Sequence, residues 1–266
     1  MDARRIGFFG LGEMGVPMAR RLLSQGWRVA SAVNRSRGGV EALAADGLEE
    51  RSSAADCARD AEAVVTMVRD TEETRALTLG AGRVLAAMAP GATLIVMSTI
   101  DPGFCRELAA EAAAREVGVL DVPVSGFPFR AAEGTLALMV GGEAVVIERA
   151  RPLLEVFGTI LVCGGPGMGQ VAKLANNAAV AGSFAAVIEA RAFAAAYGMS
   201  GEQLLEILAN ASGDSFVVQN WEAIQPMWAH VMSLVRKDMG LFREAAAASG
   251  IELPLSEVTD RYPWPD

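Results

Sequence analysis

The first 165 residues alternate short β-like runs with segments of helical spacing, and this alternation stops abruptly afterwards. A chain that alternates strands with helices is expected to form a mainly parallel sheet with helices on both faces. The segment "VPMARRLLSQG" is typical of the helical stretches between the runs. The predicted strands cover residues 5–9, 28–33, 63–68, 92–98, 119–124, 136–142 and 159–165.

The part of the chain after residue 165 contains only helical patterns. Residues 168–197 predict one helix of about thirty residues, which is long for a globular protein. Ser200 is a candidate N-cap for the next helix, and two further helical patterns cover 216–229 and 232–248. We therefore expect a doubly wound α/β domain at 1–164 and an all-α domain at 165–266, with the long helix between the domains.

The composition excludes several classes of protein. A chain that is 52% hydrophobic and 21% charged is expected to be globular, and its net charge of −9 argues against general nucleic-acid binding. Cys57, Cys105 and Cys163 are far apart, which suits reduced thiols in the cytoplasm and argues against a metal site. One histidine excludes a histidine cluster. We expect neither a signal peptide nor a membrane span, because polar residues interrupt the apolar stretch 174–188.

The stretch "FFGLGEMG" has the spacing of a dinucleotide-binding turn. Glycines at 10, 12 and 15 follow a predicted strand and precede a predicted helix, which is the context that this motif requires. Such glycines allow a tight turn and let a pyrophosphate approach the backbone. An ordinary tight turn is the alternative, but the context favours a Rossmann-type cofactor site. Its candidate residues are Gly10, Leu11, Gly12, Glu13, Met14 and Gly15.

The end of the second predicted strand indicates which dinucleotide binds. NAD-specific folds usually carry an acidic residue there, which binds the ribose hydroxyls. This chain has Asn34, Arg35 and Ser36 instead, and a guanidinium beside a hydroxyl suits a 2′-phosphate. A solvated charged loop is the alternative. We expect NADP(H) to be preferred, with NAD(H) possible.

The long predicted helix carries a lysine and an amide one turn apart. Lys173 and Asn177 share a helix face and could contact one small ligand. Reduction of a carbonyl needs a proton donor and a cation, and a lysine can be both when burial or nearby positive charge lowers its pKa. The alternative is a lysine that extends to water beside a hydrogen-bonded asparagine.

Four stretches in this order resemble the β-hydroxyacid dehydrogenase family, which includes 3-hydroxyisobutyrate dehydrogenases and semialdehyde reductases and has a 6-phosphogluconate dehydrogenase-like fold. The stretches span nearly the whole chain, so the resemblance is more specific than one glycine motif. They are "GLGEMGVPMA" at 10–19, "DVPVSG" continuing to "AAEGTLALMVGG" at 121–142, "GPGMGQVAKLANN" at 165–177 and "KDMG" at 237–240.

The resemblance implies a role for individual residues. It makes Lys173 the catalytic acid and base and Asn177 the amide that holds substrate beside it. Ser125 and Gly126 correspond to the loop that binds the substrate carboxylate, and Lys237 to a second lysine near cofactor and substrate. The resemblance also implies cofactor contacts at Met67, Val68 and Thr99.

The chain departs from the family pattern in two places. Phe127 stands where the family usually has a glycine, so the substrate-binding residues include a large apolar side chain and a pocket of altered shape is expected. The ending "LSEVTDRYPWPD" has two prolines among its last four residues, which predicts that the terminal helix of the family is absent.

The resulting hypothesis is an NADP-dependent dehydrogenase or reductase acting on a small β-hydroxy acid or its semialdehyde, as a homodimer or homotetramer. Which acid is used, and in which direction, stays open. One alternative is an imine reductase, although proteins of that kind usually replace the lysine at 173. Another is a non-catalytic dinucleotide-binding scaffold protein, which Phe127 and the short tail favour and the Lys173–Asn177 pair disfavours.

Overall fold

The computed structural model describes residues 5–262 and 264, and the chain divides into two compact units. The first unit is Met1–Lys173 and the second is Leu174–Asp266. The division falls within a long helix, Met168–Ala196, that begins in the first unit and continues into the second.

The first unit is built on one twisted sheet whose strands run in the order β3-β2-β1-β4-β5-β6-β8-β7, with β9 paired to β8. The first six strands in this order are mutually parallel. This is the strand order of a dinucleotide-binding fold. Its strands are β1 Arg5–Phe9, β2 Arg28–Ser31, β3 Glu49–Glu50, β4 Ala63–Thr66, β5 Thr93–Val96, β6 Gly118–Asp121, β7 Val124–Ser125, β8 Leu136–Gly142 and β9 Gly158–Gly164.

Helices cover both faces of this sheet because its strands are apolar on both sides. Along β1, Ile6 and Phe8 enter one buried cluster and Phe9 enters the other. The predicted α/β architecture is confirmed. The helices are α1 Gly15–Ser24, α2 Gly38–Ala44, α3 Ala54–Arg59, α4 Thr71–Thr78, α5 Val84–Ala87, α6 Pro102–Ala113, α7 Phe127–Glu133 and α8 Ala144–Leu154.

Three details of the sheet differ from the prediction. The strand expected at 119–124 is two strands, because the chain leaves the sheet at Val122 and Pro123 before β7 begins. β8 is antiparallel to both β6 and β7. The short β3 was missed, since Glu49 and Glu50 give no apolar signal.

The second unit is helical, as predicted. Trp228 packs edge-on against Phe184 with ring centroids 5.5 Å apart, and lies 5.9 Å from Trp221. Ser200 accepts the backbone N–H of Gln203 at 3.1 Å, which confirms the predicted N-cap. The helices are α9 Met168–Ala196, α10 Gly201–Ala209, α11 Phe216–Gln219, α12 Trp221–Ile224, a 3₁₀ turn Gln225–Met227, α13 Trp228–Ala248 and α14 Pro254–Asp260.

Two predictions about the second unit were wrong. The helix expected at 216–229 is broken into short pieces, the last of which contains Pro226. A terminal helix, α14, is present, because Pro254 occupies its first turn and the two terminal prolines follow its last residue in the sequence.

Helix α9 also has the length and composition of a membrane span, which the sequence prediction had excluded. An 18-residue window has a mean hydropathy of 1.4, and only 22% of that window is buried. Lys173, Asn176 and Asn177 lie on the same helix. The absence of a membrane span therefore stays a prediction.

Candidate active site

In the turn after β1, two glycines are required by close backbone contacts and the third faces open space. Gly10 has a φ of +92°, and a Cβ there would overlap the carbonyl oxygen of Met67. A Cβ at Gly15 would overlap the carbonyl oxygen of Gly10, so this glycine lets α1 approach the strand. Gly12 instead faces open space. The turn thus fits a pyrophosphate that contacts the backbone at Gly12.

The other candidate cofactor residues of the first unit surround this turn. β1 lies between β2 and β4, which is where open α/β sheets bind ligands at the carboxyl ends of their strands. Met67, half-buried after β4, donates its backbone N–H to the carbonyl of Phe9 at 2.7 Å. Val68 follows it and is also half-buried. Within the turn, Glu13 is exposed, while Leu11 and Met14 are half-buried against the core.

The loop after β2 adjoins the same turn. A Cβ at Gly39 would overlap the carbonyl of Leu11, which puts the two backbones in contact. Asn34, Arg35 and Ser36 are exposed in this loop. The Arg35 guanidinium lies 3.2 Å from the carboxylate of Glu73, and the Ser36 hydroxyl accepts the backbone N–H of Gly38 at 3.1 Å.

The first turn of α9 is fixed to the sheet by a buried carboxylate that the sequence did not identify. Asp121, at the end of β6, accepts the backbone N–H of Gly167 at 2.7 Å and that of Gln170 at 2.9 Å. Burial raises the pKa of Asp121, while these hydrogen bonds oppose the rise. A Cβ at Gly141 or Gly169 would collide with this carboxylate, so both positions require the smallest residue.

Gln170 extends this attachment to the segment after β5. Its side-chain oxygen accepts the backbone N–H of Ile100 at 3.0 Å, and its amide donates to the carbonyl of Ser98 at 2.8 Å. These two backbone groups flank Thr99, a candidate cofactor contact, which is half-buried. One fully buried glutamine therefore fixes both the Thr99 segment and the helix that carries Lys173.

Lys173 lies almost one turn after Gln170 on α9 and is buried, with 9% of its surface exposed. This exposure argues against the alternative in which the lysine extends to water. Burial of a lysine on an apolar helix is costly unless other groups interact with it. A lysine that serves only to place a charge in water would not be expected at such a buried position.

Within the second unit, Asn177 is held by another buried carboxylate. The Asn177 amide donates to Asp238 at 2.6 Å, and its carbonyl oxygen accepts the amide of Asn176 at 3.0 Å. The Lys237 ammonium lies 3.0 Å from the other Asp238 oxygen. Asp238 thus brings the two predicted residues together. The motif "KDMG" contained this aspartate, but its spacing gave no sign of the contact with Asn177.

The predicted carboxylate loop is the turn between β7 and α7. Ser125 is half-buried at the end of β7, and Gly126 has a φ of +144°. Phe127, also half-buried, has a φ of +62°, a left-handed conformation that favours glycine. The backbone therefore keeps a glycine-like conformation although the residue is phenylalanine.

A metal cluster and a reactive cysteine are two other kinds of site that could serve catalysis. No group of three or more His, Cys, Asp or Glu residues that could bind a metal occurs in residues 5–262 and 264. Burial raises the pKa of the Cys57 thiol to about 12 and also raises the pKa of Cys105 and Cys163. These thiols are consequently protonated near neutral pH and poor nucleophiles.

Comparison with known proteins finds dehydrogenase relatives over nearly the whole chain. Residues 5–165 match the NAD-binding domain of 6-phosphogluconate dehydrogenase, and residues 167–262 match the NAD-binding domain of NADP-dependent 3-hydroxyisobutyrate dehydrogenase. The chain is 36% identical to an NAD-dependent L-serine dehydrogenase of Pseudomonas aeruginosa, covering 96% of this chain and 89% of that protein. It is 31% identical to the 2-(hydroxymethyl)glutarate dehydrogenase of Eubacterium barkeri, with coverage of 95% and 85%.

Solved structures agree with these matches. The 3-hydroxyisobutyrate dehydrogenase of Mycobacterium tuberculosis with L-serine superposes with a TM-score of 0.85 at 32% identity, covering 97% of this chain and 91% of that one. An imine reductase of Streptomyces aurantiacus shares the fold, with a TM-score of 0.69 at 20% identity over 97% of this chain and 92% of its own.

Proposed function

The chain belongs to the 3-hydroxyisobutyrate dehydrogenase family of NAD(P)-dependent 3-hydroxy acid dehydrogenases, and on this premise we propose that Lys173 is its catalytic acid and base. The substrate is a small 3-hydroxy acid or the corresponding semialdehyde. The observation that carries the proposal is the burial of Lys173 on a helix whose first turn is bonded to the sheet through Asp121 and Gln170. A proton donor has to be held in place to act on one oxygen atom.

Different residues of the chain bind the cofactor, bind the substrate and transfer the proton. The backbone around Gly12 holds the pyrophosphate, and Met67, Val68 and Thr99 line the rest of the dinucleotide site. When bound, the dinucleotide supplies or accepts the hydride. Ser125 and the backbone of Gly126 hold the substrate carboxylate. Lys173 gives a proton to the carbonyl oxygen during reduction and removes the hydroxyl proton during oxidation.

The second unit supplies the amide and the second lysine. Asn177 hydrogen-bonds the substrate one turn along α9 from Lys173, and Asp238 fixes the orientation of its amide. Lys237, paired with Asp238, contributes positive charge towards cofactor and substrate. Of the 23 lysine and arginine residues, only Lys173 and Lys237 are lysines. Since arginine keeps its proton, the use of lysine at 173 supports proton transfer there.

We also propose that NADP(H) is preferred over NAD(H). The loop after β2 contains Asn34, Arg35 and Ser36 in place of an acidic ribose ligand. The Arg35 side chain is largely exposed, so its guanidinium can turn from Glu73 to a 2′-phosphate, while Glu73 keeps a hydrogen bond from the backbone N–H of Arg69. One relative is named as NAD-dependent. The family matched by residues 167–262 is described as NADP-dependent.

We propose further that the protein works in the cytoplasm as a homodimer or homotetramer. Its three cysteines are all free, which suits a reducing compartment. Apolar side chains remain exposed on the helices of the second unit, including Phe193 at 68% and Ile207 at 45%. A second copy would remove this surface from water.

The experiment that tests the catalytic proposal compares three variants by the change in nicotinamide absorbance with 3-hydroxy acids and semialdehydes. Lys173→Ala should lower kcat about 100- to 10,000-fold while NADPH affinity stays within a few-fold. Lys173→Arg should fail as well, because a guanidinium does not release its proton near neutral pH. Asn177→Ala should raise KM more than it lowers kcat.

The arginine variant decides between two roles of the lysine. Near-native turnover of Lys173→Arg would mean that residue 173 supplies charge only, and the proposal would be wrong. The same assay with cyclic imines tests the second candidate function, since turnover of imines alone would favour an imine reductase. Absence of any turnover with intact cofactor binding would favour a scaffold protein.

A further inference from the structure

Phe127 has a backbone conformation that is unfavourable for its residue type. Its φ of +62° lies in the left-handed region, and among residues 5–262 only Arg83 and Glu116 share a positive φ without being glycine. A bulky side chain in this region is strained, and such strain collects where residues contact ligands. The chain therefore keeps a costly phenylalanine directly after Ser125 and Gly126, the residues proposed to hold the substrate carboxylate.

The side chains that follow make this turn apolar. Phe127 and Phe129 stack with their ring centroids 6.1 Å apart and their planes 19° apart, and Pro128 lies between them in the sequence. Phe129 is 49% exposed. We call these three residues the aromatic turn. Its phenylalanine rings offer an apolar surface next to a position that holds a carboxylate.

The charge beside the aromatic turn restricts what can bind there. The stem of Arg130 packs against Gly126, since a Cβ at Gly126 would lie 2.8 Å from the Arg130 Cδ. The Arg130 guanidinium is bonded to this Cδ and therefore lies close to Gly126, where it attracts a carboxylate and repels a cation. A positively charged group on the substrate would thus be disfavoured near Gly126, even though an isolated phenylalanine ring can attract a cation.

From this arrangement we infer that Phe127 determines specificity for 3-hydroxy acids that carry an apolar substituent on C2. The inference rests on the proposed function. L-Serine, 3-hydroxyisobutyrate and 2-(hydroxymethyl)glutarate, which appear in the names of relatives, share a 3-hydroxycarboxylate core. They differ on C2, where they carry an ammonium, a methyl and a carboxyethyl group. The aromatic turn favours the apolar group and, beyond methyl, a larger one such as phenyl.

The first test is a substrate panel with a constant core. 3-Hydroxypropionate, L-serine, 3-hydroxyisobutyrate and 3-hydroxy-2-phenylpropionate are compared by kcat/KM with NADP⁺ and with NAD⁺. We expect the 2-phenyl acid to exceed L-serine by at least about 100-fold, which corresponds to about 2.7 kcal/mol at 1.36 kcal/mol for each factor of ten. Equal or better use of L-serine would overturn the inference.

The second test separates the effect of the Phe127 ring on substrate preference from the effect of backbone strain at residue 127 on stability. In Phe127→Ala the preference for the 2-phenyl acid over 3-hydroxypropionate should fall about 10-fold or more, because the ring is removed. Phe127→Gly should lose the same preference but melt roughly 2–4 °C above Phe127→Ala, because glycine relieves the left-handed strain. A preference that survives both substitutions would contradict a role for the ring.

A matched control comes from Glu116, which has a φ of +57° at an exposed position. Glu116→Gly should likewise melt above Glu116→Ala, but neither should change the substrate preference. Failure of this inference is distinguishable from failure of the proposed function. If turnover requires Lys173 but the substrate preference does not change when residue 127 is substituted, only the inference about Phe127 is wrong. If no 3-hydroxy acid is oxidised, both are wrong.

Discussion

At the scale of single residues, the loop after β2 offers an internal comparison of two arginines. Arg35 and Arg37 are two residues apart, both are exposed, and both pair with glutamates. Arg35 pairs with Glu73, close to the carboxyl end of β4, whereas Arg37 pairs with Glu50 of β3. β4 is a neighbour of β1 in the sheet and β3 is not, so only the Arg35 pairing involves the helix after a strand that flanks the glycine turn. Arg35 is therefore the better candidate for a 2′-phosphate ligand.

We expect Arg35→Asp to abolish a preference for NADPH over NADH. The aspartate would repel the 2′-phosphate and accept hydrogen bonds from ribose hydroxyls, so the ratio of the two dissociation constants should change about 10-fold or more. Isothermal titration with each dinucleotide measures this ratio. Arg37→Asp is the control and should change it by less than about three-fold. Equal affinity of the unsubstituted protein for both dinucleotides would refute the proposed preference.

At the scale of elements, the junction of β6 with α9 shows how a buried charge is tolerated. Burial raises the pKa of Asp121 above its ordinary value of 3.8, and hydrogen bonds from Gly167 and Gln170 lower it by a smaller amount. The folded state therefore holds the proton more tightly than the unfolded state. The corresponding stability is present below pH 3.8 and is lost as the pH rises through the raised pKa.

This linkage predicts the behaviour of Asp121→Asn. The free energy of unfolding of the unsubstituted protein should contain a component that falls from about pH 4 upwards, and Asp121→Asn should lack that component. At pH 7 the variant should also lose about 1–3 kcal/mol, because an amide cannot accept both backbone N–H groups. Urea unfolding at a series of pH values measures both effects. Asp46→Asn, at an exposed carboxylate, is the control; an unchanged pH profile in Asp121→Asn would contradict the linkage.

The same junction shows where sequence-based prediction works and where it stops. Strands β1, β4, β5 and β6 are detectable because each is a largely apolar run, and the glycine turn is detectable because its spacing is local. Asp121 and Gln170 are 49 positions apart, and no local pattern reveals that one accepts a hydrogen bond from the other. Asp238 is likewise 61 positions from Asn177. The roles of Lys173, Ser125 and Gly126 came from the resemblance and stay predictions.

At the scale of the whole molecule, the second unit exposes much apolar surface for its size. Helix α10 has no buried residue, and only 22% of an 18-residue window of α9 is buried in the single chain. Tyr197 is 80% exposed and lies 4.9 Å from Phe193 between ring centroids. Contiguous apolar surface of this kind usually marks an interface. A second copy of the chain is the occupant that we propose.

We therefore expect light scattering at micromolar concentration to give at least the mass of a dimer. Phe193→Asp should shift the mass towards the monomer, because a carboxylate would be buried at the interface. Val145→Asp provides the control, since Val145 is similarly exposed at 71% but lies on α8 of the first unit. A monomeric unsubstituted protein, or dissociation by both variants alike, would contradict the proposed interface.

The attachment of α9 to Asp121 has a consequence for the order of folding. The amides of Gly167 and Gln170 can find their acceptor only after β6 has joined the sheet, 46 to 49 residues earlier in the chain. Strands β8 and β9 lie between these partners in the chain, where β8 pairs with β6 and β9 pairs with β8, so that part of the sheet has to form before the start of α9 reaches Asp121. The turn that leads to Lys173 should therefore acquire protection from hydrogen exchange late in refolding. Newly made chains would then complete the dinucleotide fold before they become able to transfer a proton.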